Sequence, residues 1–170
     1  MWSFRVVALA LAALAAGACG FQPLYGSRLT GDVPAELAQI KVTPIPDRAG
    51  QQLHNHLLTM LNPDGRPDKA RYVLTTRISE SLSSLGVRKT AFATRANLEL
   101  RASYALNAVA TGKSVFNGQS AVTVSYDILD SEFATLMTEK EARSRAAREL
   151  SQEIRIRLAT FFAAQEQPGK

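Results

Sequence analysis

The most constraining feature of this sequence is a strict alternation of apolar and polar residues between Leu98 and Ala108. The apolar positions are Leu98, Leu100, Ala102, Tyr104, Leu106 and Ala108. Successive side chains of a β-strand point to opposite faces, so the alternation predicts a strand with one buried and one polar face. Such a strand is typical of an antiparallel sheet that carries helices on its apolar side.

The same two-residue period recurs on both sides of this segment. We predict a second strand over residues 71–82, a third over residues 92–110 and a fourth over residues 114–126, which together form an antiparallel meander. At about 3.3 Å per residue the third strand would extend near 60 Å. We therefore expect the hairpin of the second and third strands to bend or to project beyond the sheet.

Residues 37–45 show a shorter alternation, which predicts the first strand. Two prolines, Pro44 and Pro46, close this segment, because proline cannot continue a central strand. The first strand is therefore expected to end at these prolines.

Two segments have the three-to-four residue periodicity of helices. The first follows Asp47, a candidate N-cap, and runs to Leu61. The second covers residues 131–164, and Thr-Glu-Lys-Glu at residues 138–141 resembles a capping box at or near its start. The apolar stripe of the second helix consists of Ala142, Ala146, Leu150, Ile154, Leu158 and Phe161.

The order of elements is therefore strand, helix, strand, strand, strand, helix. This order predicts an α+β fold in which two helices pack on one face of a mostly antiparallel four-stranded sheet. We expect the core to form where the central strand meets the second helix. The residues expected to meet there are Leu100, Tyr104, Leu150, Ile154 and Leu158.

Residues 1–18 have the features of a signal peptide, because Arg5 precedes a short apolar run that ends in small residues. The only cysteine, Cys19, follows at the position where a bacterial lipoprotein signal is cleaved and the new terminal cysteine is acylated. Ala16 departs from the leucine that is usual three residues before such a cysteine. An ordinary signal peptide followed by a free thiol is the alternative, but lipidation would remove a reactive exported thiol.

These features divide the chain into four parts. We expect a signal peptide over residues 1–18 and a lipid-anchored tether over residues 19–34. A single α+β domain over residues 35–164 and a disordered tail over residues 165–170 complete the chain. The protein would then lie on the periplasmic side of a membrane, attached through acylated Cys19.

The sequence offers little material for catalysis or for a metal site. The only two histidines, His54 and His56, are two positions apart, which places them on opposite faces of the predicted helix. No motif pairs a nucleophile with a base, and no phosphate-binding loop is present. We therefore predict no catalytic residues, no metal site and no cofactor, and the protein is not expected to be an enzyme.

The basic residues are concentrated in the central hairpin. The chain has 20 Lys+Arg against 15 Asp+Glu, and between residues 66 and 113 nine basic residues face three acidic ones. Residues 81–98 contain no acid but hold Arg88, Lys89 and Arg95. Nucleic acid is not an expected partner, because export removes the protein from it and aromatics do not interleave with the basic residues.

The second helix also contains several arginines, but acidic residues accompany them. Glu141 with Arg145, and Glu153 with Arg157, have the four-residue spacing at which side chains on a helix form ion pairs. We interpret this as a solvated, salt-bridged surface rather than as a binding site.

The segment Cys19–Gly26, with the sequence Cys-Gly-Phe-Gln-Pro-Leu-Tyr-Gly directly after the signal, resembles the LptE family of lipopolysaccharide-assembly lipoproteins. The element order and overall size agree with this resemblance. It implies a non-catalytic protein, anchored through Cys19 in the outer membrane, that plugs the LptD β-barrel. Together the two proteins would deliver lipopolysaccharide to the outer leaflet.

The resemblance also implies that the loop between the second and third strands contacts lipopolysaccharide. In this chain that loop holds Arg88 and Lys89, with Arg95 just behind them, and we take these three as the candidate lipopolysaccharide-binding residues. The alternatives are a periplasm-facing lipoprotein that binds a small ligand or a cell-wall fragment, and a lipid-anchored hydrolase.

Overall fold

The structure, a computed structural model, contains one four-stranded sheet in the order β1-β2-β3-β4. It describes residues 35–87 and 93–165. The elements are α1 (Ala35–Ala38), β1 (Ile40–Val42), α2 (Arg48–Leu61), β2 (Tyr72–Val87), β3 (Ala93–Ala108), β4 (Ser114–Asp127) and α3 (Glu132–Gln165). The predicted α+β fold class and element order are confirmed, and the short helix α1 is an addition to them.

The sheet is a meander with one extra strand at its edge. β2 pairs with β3 and β3 with β4 in antiparallel register, with Leu106 opposite both Leu74 and Phe116. β1 pairs in parallel with only the first three residues of β2. Its pairing ends because Pro44, which directly follows Thr43, has no N–H to donate. The predicted first strand over residues 37–45 is therefore too long at both ends.

The length of the strands is matched by the length of α3. β2 and β3 each have 16 residues, about 53 Å at 3.3 Å per residue, and the 34 residues of α3 span about 51 Å. β4 accompanies β3 as far as the pair Arg95–Asp127, so β3 continues past the last β4 pair by only Ala93 and Thr94. Within the described residues, the hairpin therefore does not project freely beyond the sheet, which contradicts one of the two expected alternatives, a projection, and leaves the other, a bend.

The core lies between one face of the sheet and the two longer helices. Even-numbered residues of β3 from Ala96 to Leu106 are buried, as the alternating pattern predicts. The five predicted core residues are all buried, and three of them belong to α3. They are Leu100, Tyr104, Leu150, Ile154 and Leu158.

Tyr104 shows how closely this core is packed. Its hydroxyl lies 3.2 Å from the Ser120 Oγ, which satisfies the buried polar end of the ring. A Cβ atom at Gly118 would lie 2.6 Å from the ring, so the glycine allows the ring to contact the backbone of β4. Burial raises the pKa of the Tyr104 hydroxyl, although its hydrogen bond with Ser120 lowers it.

The ends of the helices differ from the sequence-based expectations. The Ser131 Oγ, directly before α3, accepts a hydrogen bond from the Ala134 N–H at 3.4 Å. Thr138 lies inside the helix and donates to the Thr135 carbonyl, so the predicted capping box at residues 138–141 is wrong. At the other end Phe162, rather than Phe161, is the deeply buried ring.

Asp47 precedes α2 as predicted, but its side chain makes no capping hydrogen bond. Its backbone has a φ of 68° and a ψ of 165°, a conformation that residues other than glycine rarely adopt. The bend that this conformation produces, rather than a side-chain cap, directs the chain from the proline segment into α2. In the described part of the chain, no helix combines the length and the apolar character that a membrane crossing requires.

The buried stripe of α3 generates the first prediction. Replacing Leu150 or Leu158 with alanine should lower the free energy of unfolding by about 2 to 5 kcal/mol, because each change leaves a cavity in a fully buried position. Urea unfolding of residues 19–170, called the mature chain below, measures this loss. Ile156→Ala is the matched control, because Ile156 lies on the same helix with 48% of its surface exposed. A loss of less than about 0.5 kcal/mol at both leucines would contradict the packing described here.

Candidate functional site

Only one of the predicted site residues belongs to the described part of the chain. Arg95 lies on β3, close to the segment that joins β2 and β3. Arg88 and Lys89 belong to that joining segment, residues 88–92, and lie outside the described residues. Cys19 lies outside them as well. The structure therefore shows the surroundings of Arg95 and the ends of β2 and β3 that the joining segment connects.

Arg95 is on the polar face of the sheet and forms an ion pair across to β4. Its Nε lies 3.2 Å from the Asp127 Oδ1, and both side chains are about 60% exposed. An exposed pair of this kind contributes at most about 1 kcal/mol, because water screens both charges. Arg95 can therefore exchange Asp127 for another anion at little cost.

Exposed apolar residues lie at the start of α3, at the same end of the sheet as this ion pair. Leu129 follows Asp127 by two residues, and its backbone N–H donates to the Thr135 Oγ1 at 2.9 Å, which holds it against the first turn of α3. The four residues of the patch are 40–71% exposed, and Phe133 is the most exposed. We define the tip patch as Leu129, Phe133, Leu136 and Met137.

The tip patch faces away from the core because of helical geometry. Phe133 precedes Ala142, the first buried residue of the α3 stripe, by nine residues, which at about 100° per residue is two and a half turns. Phe133 therefore lies on the opposite side of the first turns of the helix from Ala142 and the half-buried Thr138. Phe133, Leu136 and Met137 show this offset in the sequence, but sequence reasoning missed the patch because it followed only the core stripe.

A second cluster fixes the start of α3 to β2. The Arg143 guanidinium donates to both oxygens of Glu80, at 2.7 to 3.2 Å, and to the Glu139 Oε1 at 2.7 Å. The hydrogen bond with Glu80 is the largest cause of the raised pKa of Arg143. The predicted pairs within the helix, Glu141–Arg145 and Glu153–Arg157, are present as well. The bond between Glu80 and Arg143 was not predicted, because these residues are far apart in the sequence.

The two histidines do not form a site together. The His54 Nδ1 lies 3.1 Å from the Thr43 carbonyl oxygen, beside β1. His56 lies toward α3, where burial and then the charge of Arg148 lower its pKa. They point to different elements, as the two-residue spacing predicts. Among the described residues, no group of three or more potential ligands could hold a metal ion.

The opposite face of the sheet is polar and carries two shallow cavities. The larger, about 540 Å³, lies over residues such as Arg77, Ser103 and Gln119, which form one row across β2, β3 and β4. The second, about 420 Å³, extends along the same face past Arg101. Both are open to solvent, unlike the enclosed pockets in which small ligands are usually bound.

A sequence model of the LptE family, described as lipopolysaccharide-assembly, matches residues 37–158, which is more than half of the chain. The chain belongs to the LptE family. The resemblance noted in the sequence is thereby confirmed. No curated protein sequence matches the chain significantly.

Several solved structures similar to this LptE-family chain are lipoproteins. A lipoprotein from Caulobacter crescentus CB15 is 26% identical, with a TM-score of 0.61 and coverage of 75% of this chain and 93% of its own. Rare lipoprotein B from Shewanella oneidensis is 13% identical, with a TM-score of 0.59 and coverage of 75% and 97%. A minor lipoprotein from Acinetobacter baumannii is 17% identical, with a TM-score of 0.54 and coverage of 71% and 91%. The second and third show a shared fold.

The contact between Arg143 and Glu80 generates the second prediction. In a double-mutant cycle with Arg143→Met and Glu80→Gln, the two side chains should show a coupling free energy of about 1 kcal/mol. This value is expected to fall as salt is added, since both side chains are partly exposed. The exposed pair Arg95–Asp127 provides the control cycle and should couple more weakly. Equal coupling in the two cycles would mean that Arg143 does not fix α3 to β2.

Proposed function

We propose that this LptE-family chain is a lipid-anchored outer-membrane assembly factor that plugs the LptD β-barrel and helps deliver lipopolysaccharide to the outer leaflet. Family membership supports the general role in lipopolysaccharide assembly. The observation that carries the ligand contact is that an exposed cation, Arg95, and the tip patch lie at the same end of the sheet. The proposed role is non-catalytic.

The chemistry of lipopolysaccharide fits this combination of side chains. Its phosphates can accept two parallel hydrogen bonds from an arginine and can attract the compact charge of a lysine. Its acyl chains need an apolar surface, and the tip patch offers one that no described residue covers. Arg88 and Lys89 follow β2 directly in the sequence, and β2 ends opposite the start of β3, close to Arg95.

The open face of the sheet supports the proposed position inside a barrel. The lumen of an outer-membrane barrel is polar, so a protein that fills it needs a polar surface. In this chain the uncovered face of β2, β3 and β4 presents arginine, hydroxyl and amide groups, as in the row Arg77, Ser103 and Gln119. A face of that composition can exchange hydrogen bonds with a polar lumen without burying unpaired groups.

The proposed anchor rests on Cys19 and on the segment that follows it. Two or more acyl chains on Cys19 would hold the protein stably at a membrane, whereas a single chain would bind only marginally. The tether over residues 19–34 would then set the distance between the membrane and the folded part.

The ligand contact is tested by charge reversal and by patch substitution. Arg88→Asp with Lys89→Asp should weaken binding of lipopolysaccharide at least about tenfold, and binding of its deacylated form similarly, because both ligands contain the phosphates. Phe133→Ser with Met137→Ser should weaken binding of the acylated form only. Binding is measured by calorimetry on the mature chain, with thermal unfolding to verify the fold.

The control for charge reversal is Arg66→Asp with Lys69→Asp. These two exposed residues lie in the loop before β2, at the other end of the sheet, and their reversal changes the net charge by the same amount. If both double reversals weaken binding equally, only overall charge matters and the tip is not the binding site. If the patch variant loses affinity for deacylated lipopolysaccharide as well, the tip patch does not act through acyl chains.

The anchor is tested with Cys19→Ser. This variant should incorporate no labelled palmitate and should no longer fractionate with the outer membrane, because serine offers no thiol for acylation. Its thermal unfolding should match that of the wild type, since residues 37–158 contain the family fold. Normal acyl labelling of the serine variant would contradict the assignment of Cys19.

A further inference from the structure

β2 is paired over only a small part of its outer edge. β1 pairs with β2 at Tyr72–Leu74, and from Thr75 to Val87 no described strand lies on that side. The other side of β2 is paired with β3 continuously to Leu85, without a bulge. On its outer edge, β2 therefore has about 13 residues whose outward backbone groups pair with no described strand, and we call this segment the unpaired row.

The direction of the free backbone groups follows from the contacts of β1. The Leu74 carbonyl accepts hydrogen bonds from both the Thr43 N–H and the Thr43 Oγ1, each at 3.0 Å, so it points away from β3. Since backbone groups alternate sides along a strand, the N–H and C=O groups of Ile78, Glu80 and Leu82 also point outward. No described residue forms a hydrogen bond with these outward groups.

The opposite edge of the sheet, on β4, is protected in ways that β2 is not. Arg145 donates to the Ser125 carbonyl, Thr138 donates to the Asp127 carbonyl, and a bulge interrupts the register near Leu106. Side chains thus form hydrogen bonds with outward carbonyl groups, which an added strand would need as acceptors for its own N–H groups. The β2 edge from residue 75 to residue 87 contains no proline, no lysine and no bulge, and its only charged residues are Arg77 and Glu80.

Two apolar side chains along the same edge are incompletely covered, although Arg143 of α3 reaches Glu80 between them. Leu82 points to the helix side of β2 but is 51% exposed, and Ile78 is only partly buried, because α3 lies over β3 and β4. On the opposite face, Arg77 is exposed and forms no ion pair with any described residue. A strand added here would place apolar side chains beside Ile78 and Leu82 and a polar side chain beside Arg77.

We propose that the outer edge of β2 binds an extended segment of a partner protein, which adds to the sheet as a further strand. The segment would alternate apolar with polar side chains and would carry a carboxylate beside Arg77. A polypeptide fits because its own N–H and C=O groups match the unpaired row, which a lipid chain cannot do. The pairing continues the β1–β2 pairing, and it is independent of lipopolysaccharide binding at the tip.

The probe is a fluorescent nine-residue peptide in which valine alternates with threonine and the central polar residue is glutamate. Its control has the same composition, but its valines are contiguous. Binding to the monomeric mature chain is measured by fluorescence anisotropy, and amide exchange is followed residue by residue by NMR. The amides of Ile78, Glu80 and Leu82 should exchange rapidly in the free chain and slowly with the alternating peptide, whereas those of Ser79 and Ser81 should be protected in both.

Leu82→Pro removes one outward N–H without removing a bond to β3, so it should weaken peptide binding at least about fivefold. Leu82→Lys is a second variant, which keeps the N–H but places a charge where the apolar side chain should pack. Thr123→Pro is the matched control, because Thr123 lies at an outward position on the edge of β4. It should leave peptide binding unchanged.

Several results would overturn the proposal. Slow exchange of the three amides in the free monomer would mean that the chain covers its own edge. Protection that rises with protein concentration, without peptide, would mean that a second copy occupies it. Equal binding of the contiguous-valine peptide, or equal weakening by Thr123→Pro and Leu82→Pro, would mean that adsorption rather than strand pairing is measured.

Discussion

The burial of one face of β3 along its whole length is the constraint on which the rest of the structure depends. Alternate residues from Ala96 to Leu106 are buried, so an apolar surface about as long as the strand must be covered. Only a helix of matching length can do this in one piece, and α3 has that length. The stripe that includes Leu150 and Leu158 meets β3 for this reason.

The position of α3 determines which surfaces remain available for binding. Because α3 lies over β3 and β4, the outer half of β2 has no helix above it, and Glu80 can stay partly exposed there while it bonds to Arg143. That bond joins α3 to β2, while the apolar side chains around Phe133, ten residues before Arg143, stay exposed. The tip patch and the free edge of β2 thus result from the same packing arrangement.

Much of the fold could be predicted because it follows from periodicity. The two-residue and three-to-four residue patterns gave the order of elements and the buried residues such as Leu100 and Ile154, since both patterns report which side chains face the core. Predictions of local details were wrong where one sequence pattern is compatible with two local structures. Thr138 has the sequence context of a capping residue, yet the helix begins at Glu132, where Ser131 provides the cap. Less of the candidate site was predictable, because Arg88 and Lys89 were selected by charge and by resemblance.

The sequence by itself determined the alternation of β3, the stripe of α3 and the family to which the chain belongs, because each is a property of residues close together along the chain. Only the tertiary structure decided that Glu80 contacts Arg143, that Arg95 pairs with Asp127, and that β1 leaves most of the β2 edge unpaired. These features join residues or backbone groups from separate elements. Their relative positions depend on how α3 packs on the sheet. The spacing of residues close together in the sequence does not determine that packing.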